Sequence, residues 1–288
     1  MKAVSWKYNF WLILVSIVWG STFFLIKDTV ATVNENLIVF VRSILAFLAM
    51  LVFVLVNKPK LLLDNESVKY GLGLGVLLAL TYTSQTIGLK FTSTGHSAFI
   101  TSSAVVVVPF ILFIFYKLKP VKVDLYAVAI VFVGLFLLTY DFETAINRGD
   151  LITIITALSV GFHIVLAGRS VKKAQALPVV TYQFLGAAIV SLAAWLFSDD
   201  ISLQMSPKAW YSLLYLGLIG TLFCYFVSVW VQKYVSSLKV AIVFSLEPVF
   251  AAVFGFIFLH EVLNFMELIG AAFILGGVIF HSIFKKST

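Results

Sequence analysis

Glu247 is the one carboxylate of this chain set well inside a long apolar run, about eight residues or roughly 12 Å of helix from where the run begins. An ionisable group at such depth is costly and faces a cavity or a partner. Pro248 beside it removes a backbone donor and clashes with an earlier carbonyl. The helix is therefore expected to open at this pair and offer polar backbone to a ligand or a proton, the plain structural reading being a kink. Pro109 sits near the corresponding place in the first half, displaced by four residues, and interruptions in both halves point to a binding site. Arg42, one to two turns into its own apolar run, suits a ligand carboxylate, an acidic partner or snorkelling outward. His163 would relay protons near neutral pH or bond a neighbouring helix. Thr221, Cys224, Tyr225 and Ser228 recur at i, i+3, i+4 and i+7 and so share one helix face, and Thr81, Tyr82 and Gln85 repeat the pattern earlier in the chain. Trp19, Ser21, Ser102 and Ser245 complete the candidate cavity. The alternative for the hydroxyl and amide groups is bonding from helix to helix.

The elements that must hold these groups are long and apolar. Apolar residues make up 61% of the chain and charged residues 11%, with a mean hydropathy of +1.07, values that place it in a bilayer. Ten stretches, near 10–30, 36–56, 70–89, 96–116, 122–140, 150–168, 178–197, 209–231, 239–259 and 264–284, are each long enough to cross a hydrocarbon core of about 30 Å. Their connections are short, so function must sit in the bundle or on brief loops, and membrane lipid is an unavoidable partner.

Lys90-Phe91-Thr92-Ser93-Thr94 returns 143 residues later as Lys233-Tyr234-Val235-Ser236-Ser237. The same shift superposes Tyr82 on Tyr225, Ala98 on Ala241, Ser102 on Ser245 and Gly134 on Gly277, without a gap. The chain reads as a tandem duplication with five spans in each copy, and an odd number of crossings makes the second copy enter upside down. The two polar stripes should then meet near mid-membrane from opposite directions. Gly71, Gly73, Gly75, Gly270, Gly276 and Gly277 are assigned to close helix packing.

The net charge of +7 follows topology rather than a nucleic-acid or acidic partner. With the N-terminus inside, Lys2, Lys7, Lys58, Lys60, Lys69, Lys117, Lys119, Lys122, Arg169, Lys172, Lys173, Lys233, Lys239, Lys285 and Lys286 fall on cytoplasmic segments. Only Lys27, Lys90, Arg148 and Lys208 fall outside. This positive-inside bias predicts that both termini are cytoplasmic. The first apolar run is too long for a signal peptide and lacks a small-residue cleavage site, so it reads as a retained helix. Cys224, the single cysteine, excludes a disulfide within the chain and reads as a packing residue. His96, His163, His260 and His281 are dispersed, and no metal-ligand spacing occurs. No phosphate-binding G-x-x-x-x-G-K-[ST] loop, G-x-S-x-G elbow or H-E-x-x-H helix is present. These patterns point to no catalytic residues, no metal and no cofactor.

Ser236-Ser237-Leu238-Lys239-Val240-Ala241, Leu246-Glu247-Pro248-Val249-Phe250-Ala251-Ala252, His260-Glu261 and Gly270-Ala271-Ala272-Phe273-Ile274-Leu275-Gly276-Gly277 resemble the second repeat of EamA-type transporters in the drug/metabolite transporter superfamily. Trp19-Gly20-Ser21-Thr22-Phe23, Phe40-Val41-Arg42, Thr94-Gly95-His96-Ser97-Ala98-Phe99 and Gly149-Asp150-Leu151 resemble the first. The likeness covers roughly residues 9–284. One departure is plain: where the first repeat of that family often ends its fourth helix with a Gly-Glu pair, this chain has Tyr116-Lys117-Leu118-Lys119.

The resemblance implies an all-α integral membrane protein of ten transmembrane helices in two inverted five-helix repeats. Residues 1–144 would form the first repeat and 145–288 the second, around a central cavity for a small-molecule substrate. The expected function is a secondary or facilitative inner-membrane carrier, a monomer or homodimer, exporting amino acids or related compounds. Trp19, Ser21, Arg42, Tyr82, Gln85, Ser102, His163, Tyr225, Ser228 and Ser245 would line the cavity, with Glu247, Pro248 and Pro109 in coupling or gating. Uptake of a quaternary ammonium over the aromatic groups is the alternative, and a membrane-embedded enzyme is the alternative of another class.

Overall fold

The computed structural model describes residues 2–139, 146–259 and 264–285. His260, Glu261 and the terminal Lys286-Ser287-Thr288 therefore lie outside the described residues. Among these residues every regular element is helical, with ten spans long and apolar enough to cross a membrane, five in each half. The first three are α1 (Lys2–Val30), α2 (Glu35–Asn57) and α3 (Asn65–Phe91), with a 3-10 turn, Pro59–Leu63, before the third. The fourth is broken into α4 (Thr94–Ser102) and α5 (Ala104–Tyr116), and the fifth is α6 (Lys122–Thr139). The second half repeats the plan with α7 (Arg148–Ser170) and α8 (Ala176–Leu196), then a span in which α9 (Pro207–Leu214) passes through a π-helical stretch, Tyr215–Phe223, into α10 (Cys224–Val231). The ninth span is α11 (Ser237–Phe244) and α12 (Glu247–Leu259), and the tenth is α13 (Phe265–Phe284).

The repeated Ser block has a structural cause. Ser93 caps α4 by accepting from the His96 N–H at 3.1 Å, and Ser236 caps α11 by accepting from the Lys239 N–H at 3.3 Å, each satisfying a donor that the first helical turn leaves open. The breaks that follow are also related by the repeat, at Ser103 in the fourth span and at Ser245-Leu246 in the ninth. Pro248 is the second residue of α12, where a missing N–H costs no intrahelical bond.

Pro109 does not mark the corresponding break. It lies inside α5, six residues beyond Ser103. There the Ser103 hydroxyl donates to Ile100 O at 2.6 Å and its N–H bonds Phe99 O at 2.9 Å, so a polar side chain satisfies carbonyls released by the interruption and no proline is needed.

Packing in a bilayer relies on close approach rather than on the hydrophobic effect between helices. A Cβ on Gly134 would stand 2.7 Å from Ile274 N and 2.8 Å from Gly270 O, so bare glycine lets α6 and α13 touch along their backbones. At one end of this pair the buried Asp124 accepts from Lys285 Nζ at 2.6 and 2.7 Å and bonds His281 Nε2 at 3.0 Å. Gly71, Gly75 and Gly277 are likewise enclosed by neighbouring helices, but Gly73 meets only one side-chain atom at 3.8 Å and Gly276 meets nothing within 4 Å, so close packing does not explain those two.

Candidate functional site

The two polar stripes meet, and Thr221 is their junction. It stands near the end of the π-helical stretch, and its hydroxyl donates to Leu216 O, five residues back, at 2.7 Å. With its proton committed, Thr221 Oγ1 accepts from Arg42 Nε at 2.9 Å and from the Tyr82 hydroxyl at 3.1 Å. The Arg42 guanidinium also lies over the Tyr82 ring, 3.6 Å from its centre. Tyr82 and Tyr225, equivalent across the repeat, meet edge to face at 5.7 Å. Gly217 lets α2 come this close, since a Cβ there would lie 3.3 Å from Arg42 O.

Around this junction is a buried cavity of about 50 Å³, room for a few waters. Trp19, Arg42, Tyr82, Gln85, Ser102, His163, Tyr225, Ser228, Ser245 and Glu247 line it. Trp19 donates to Gly220 O at 2.9 Å and packs edge to face on Tyr225 and Phe244, with ring centres 5.2 and 4.8 Å away. Its neighbour Gly20 lies against α12, where a Cβ would be 2.9 Å from Glu247 O. His163 bonds Gln183 Oε1 at 3.1 Å, the helix-to-helix role, while also lining the cavity.

Of the other residues named from the sequence, Ser21 of the cavity set and the two prolines assigned to coupling or gating lie off the lining. Ser21 donates to Val18 O at 2.6 Å and bonds the Tyr215 hydroxyl at 2.7 Å, away from the lining. Pro248 begins α12 behind Glu247 and does not line the cavity, and Pro109 faces an outer groove between α5 and α6. Thr22, Thr101 and Phe244 line the cavity although the sequence did not single them out. Thr22 is one turn from Trp19, and the other two adjoin Ser102 and Ser245, so helical periodicity from the chosen residues would have found them.

The electrostatics are unusual for so enclosed a place. Arg42 is 1% exposed and Glu247 8%, yet neither forms an ion pair among the described residues. Arg42 Nη1, Thr81 Oγ1 and Ser102 Oγ have no hydrogen-bond partner among the described residues, and all three residues line the cavity. Unpaired buried donors and acceptors are costly and are kept where something else satisfies them. Both ends of the bundle are tied. At one end Lys27 donates to the carbonyls of Leu89 and Thr92, Lys90 pairs with Glu35, and Thr92 bonds Asp150. At the other, Ser237 donates to Ile164 O at 3.3 Å and Tyr8 stacks on Tyr234 at 4.4 Å.

The EamA-like transporter family model matches the chain twice, over residues 6–140 and 147–283. The chain belongs to this family. An uncharacterized transporter of Archaeoglobus fulgidus is 29% identical over 272 residues, covering 94% of this chain and 84% of the relative. The uncharacterized transporter YoaV of Bacillus subtilis is 24% identical over 281 residues, covering 94% and 95%, and YdfC of the same organism is 24% identical over 266 residues, covering 91% and 86%. A solved crystal structure superposes with a TM-score of 0.80 at 13% identity over 98% of both chains, a likeness of fold. The protein is thus a multi-pass membrane transporter and not an enzyme.

Proposed function

We propose that the transporter carries amino acids or related zwitterions across the inner membrane by alternating access, with export as the net direction. The observation that carries this reading is the pairing of an unbridged guanidinium and an unbridged carboxylate on one buried cavity, with Arg42 Nη1 still unbonded. Arg42 would take the substrate carboxylate and Glu247 its ammonium, each charge supplying the partner that the other lacks. A sugar phosphate would call for several buried cations, and among the described residues Arg42 is the only Lys or Arg in the lining. The cavity in this structure is smaller than such a solute, so binding requires the bundle to open at one end, by release of either the Lys27 and Lys90 ties or the Ser237 and Tyr8 ties. Both termini are assigned to the cytoplasm on charge distribution, which reporter fusions at each end would test.

The aromatic walls of Trp19, Tyr82 and Tyr225 favour a second reading, uptake of a quaternary ammonium. Arg42 already occupies a face of Tyr82, and a second cation there would be repelled. Proteoliposomes loaded with labelled amino acids, their decarboxylated amines or choline, with and without a proton gradient, separate the two readings. Transport of the zwitterions alone is the expected result. Transport of choline or the amines in preference to them would overturn it.

A further inference from the structure

On the outside of the bundle an apolar groove of about 610 Å³ runs between α5 and α6, far larger than the central cavity. Phe110, Phe113 and Phe132 line it, Pro109 and Val128 contribute to its wall, and Lys119 and Pro120 also border it. It exists because its two helices turn to other partners: α6 packs extensively on α13, secured by Asp124 with His281 and Lys285, while α5 packs mainly on α7. Apolar chain is the natural occupant of a groove at this depth, and the connection beside it adds a requirement for charge.

That connection is the stretch where the sequence departs from the family pattern. Lys117, Lys119 and Lys122 are exposed, and none forms an ion pair among the described residues. Arg169 adds a fourth cation, its guanidinium 3.9 Å above the centre of the Tyr116 ring. The nearby acid, Asp124, is buried and held by His281 and Lys285, so it does not neutralise them. Lys117 also adopts a left-handed backbone, φ 56°, at a helix end where glycine is more comfortable.

We propose that this groove and its basic rim bind one anionic phospholipid, with an acyl chain along Phe110, Phe113 and Phe132 and the phosphate at Lys119, supported by Lys117 and Lys122. Anionic headgroups are attracted to such juxtamembrane lysines, each contact being worth about fivefold in affinity, and the groove supplies shape for the chain that a flat lipid-facing helix lacks. Pro109, which has no place in the cavity, acquires one here as part of the groove wall.

The test is native mass spectrometry of the full chain in detergent, titrated with phosphatidylglycerol or phosphatidylcholine bearing identical acyl chains. Phosphatidylglycerol should bind at least about fivefold more tightly. Replacing all three lysines (Lys117→Gln, Lys119→Gln, Lys122→Gln) should make the two lipids equal, whereas Ala129→Phe, filling the groove that Ala129 lines, should weaken both. These positions are exposed, and size exclusion with thermal melting confirms that the variants fold. Equal binding of the two lipids by the parent, selectivity that survives the triple substitution, or lipid binding unaffected by Ala129→Phe would each overturn the proposal. A dimer mass that replaces bound lipid would overturn it too, assigning the face to a second copy of the chain.

Discussion

The broken fourth and ninth spans are equivalent in position and unlike in chemistry. Both begin with a serine cap, at Ser93 and Ser236, and both break ten residues later, at Ser103 and Leu246. Past the break the first repeat continues with Ala104-Val105 and the second with Glu247-Pro248, yet Ala104 and Glu247 line the same cavity. Three pairs of the cavity's neutral polar residues are related by the repeat, Tyr82 with Tyr225, Gln85 with Ser228 and Ser102 with Ser245, while Thr22, Thr81 and Thr101 have no polar counterpart in the lining. The charged ones do not. Arg42 is supplied by the first half alone, since Gln183, which aligns with it at a shift of 141 residues, is buried off the cavity lining and bonded to His163. Duplication therefore supplies three matched polar pairs to the chamber, and departures from the duplication give it a positive and a negative pole.

The sharpest way to break this comparison is to remove the pole that only the ninth span has. Glu247→Gln preserves size and hydrogen bonding but deletes the charge, and it should reduce concentrative transport on the order of 100-fold, near the upper end of what one charge-assisted contact supplies. Exchange of substrate without a gradient should persist. Uptake into proteoliposomes under an imposed proton gradient measures the first, and counterflow the second. Glu247 is also the first residue of α12, where a carboxylate favours the helix N-terminus electrostatically. A variant with normal concentrative transport and a lower melting temperature would leave only that role.

Removing the opposite pole should discriminate between substrates. Arg42→Gln is expected to raise KM for amino acids by roughly tenfold or more, the loss of a bond to a charged group, while decarboxylated amines lose nothing further. A uniform rise for both classes would mean that Arg42 holds the bundle and does not read the substrate. Thr221→Val is gentler. It leaves the guanidinium at the cavity but removes the oxygen shared by Arg42 Nε and the Tyr82 hydroxyl, so KM should rise by about fivefold, less than when the charge itself is lost. An effect as large as that of Arg42→Gln would show Thr221 itself contacting substrate.

Legibility in the sequence followed the range of the interactions involved. Span length, the positive loops and the 143-residue repeat are local or compositional signals, and all ten spans fall where the apolar runs lie. Tyr82, Gln85, Tyr225 and Ser228 could be placed because helical periodicity brings them to one face. The π-helical stretch at Tyr215–Phe223 could not, because it is bound up with contacts from elsewhere, Gly217 against α2 and Thr221 against Arg42 and Tyr82. The break at Ser103 was hidden for a related reason: a serine that satisfies its own turn has no sequence mark to distinguish it from a serine inside a helix. Pro109 gave a mark without the break, since a proline within a span bends the ladder without ending it.

Pro109 therefore supplies the smallest expected effect and a direct test of where the first half is interrupted. If the working break is at Ser103, Pro109→Ala restores a backbone donor within α5 and leaves the capping contacts of Ser103 to Phe99 and Ile100 intact. Transport should stay within about twofold of the parent and melting should not fall, because the substitution relieves the clash that proline imposes inside a helix. Pro248→Ala is the matched control, since at the second position of α12 no intrahelical bond is regained and little should change. A loss of transport in Pro109→Ala comparable to that of Glu247→Gln, with folding unchanged, would move the functional hinge of the fourth span from Ser103 to Pro109. The two broken spans would then differ in the place of their hinges as well as in their charge.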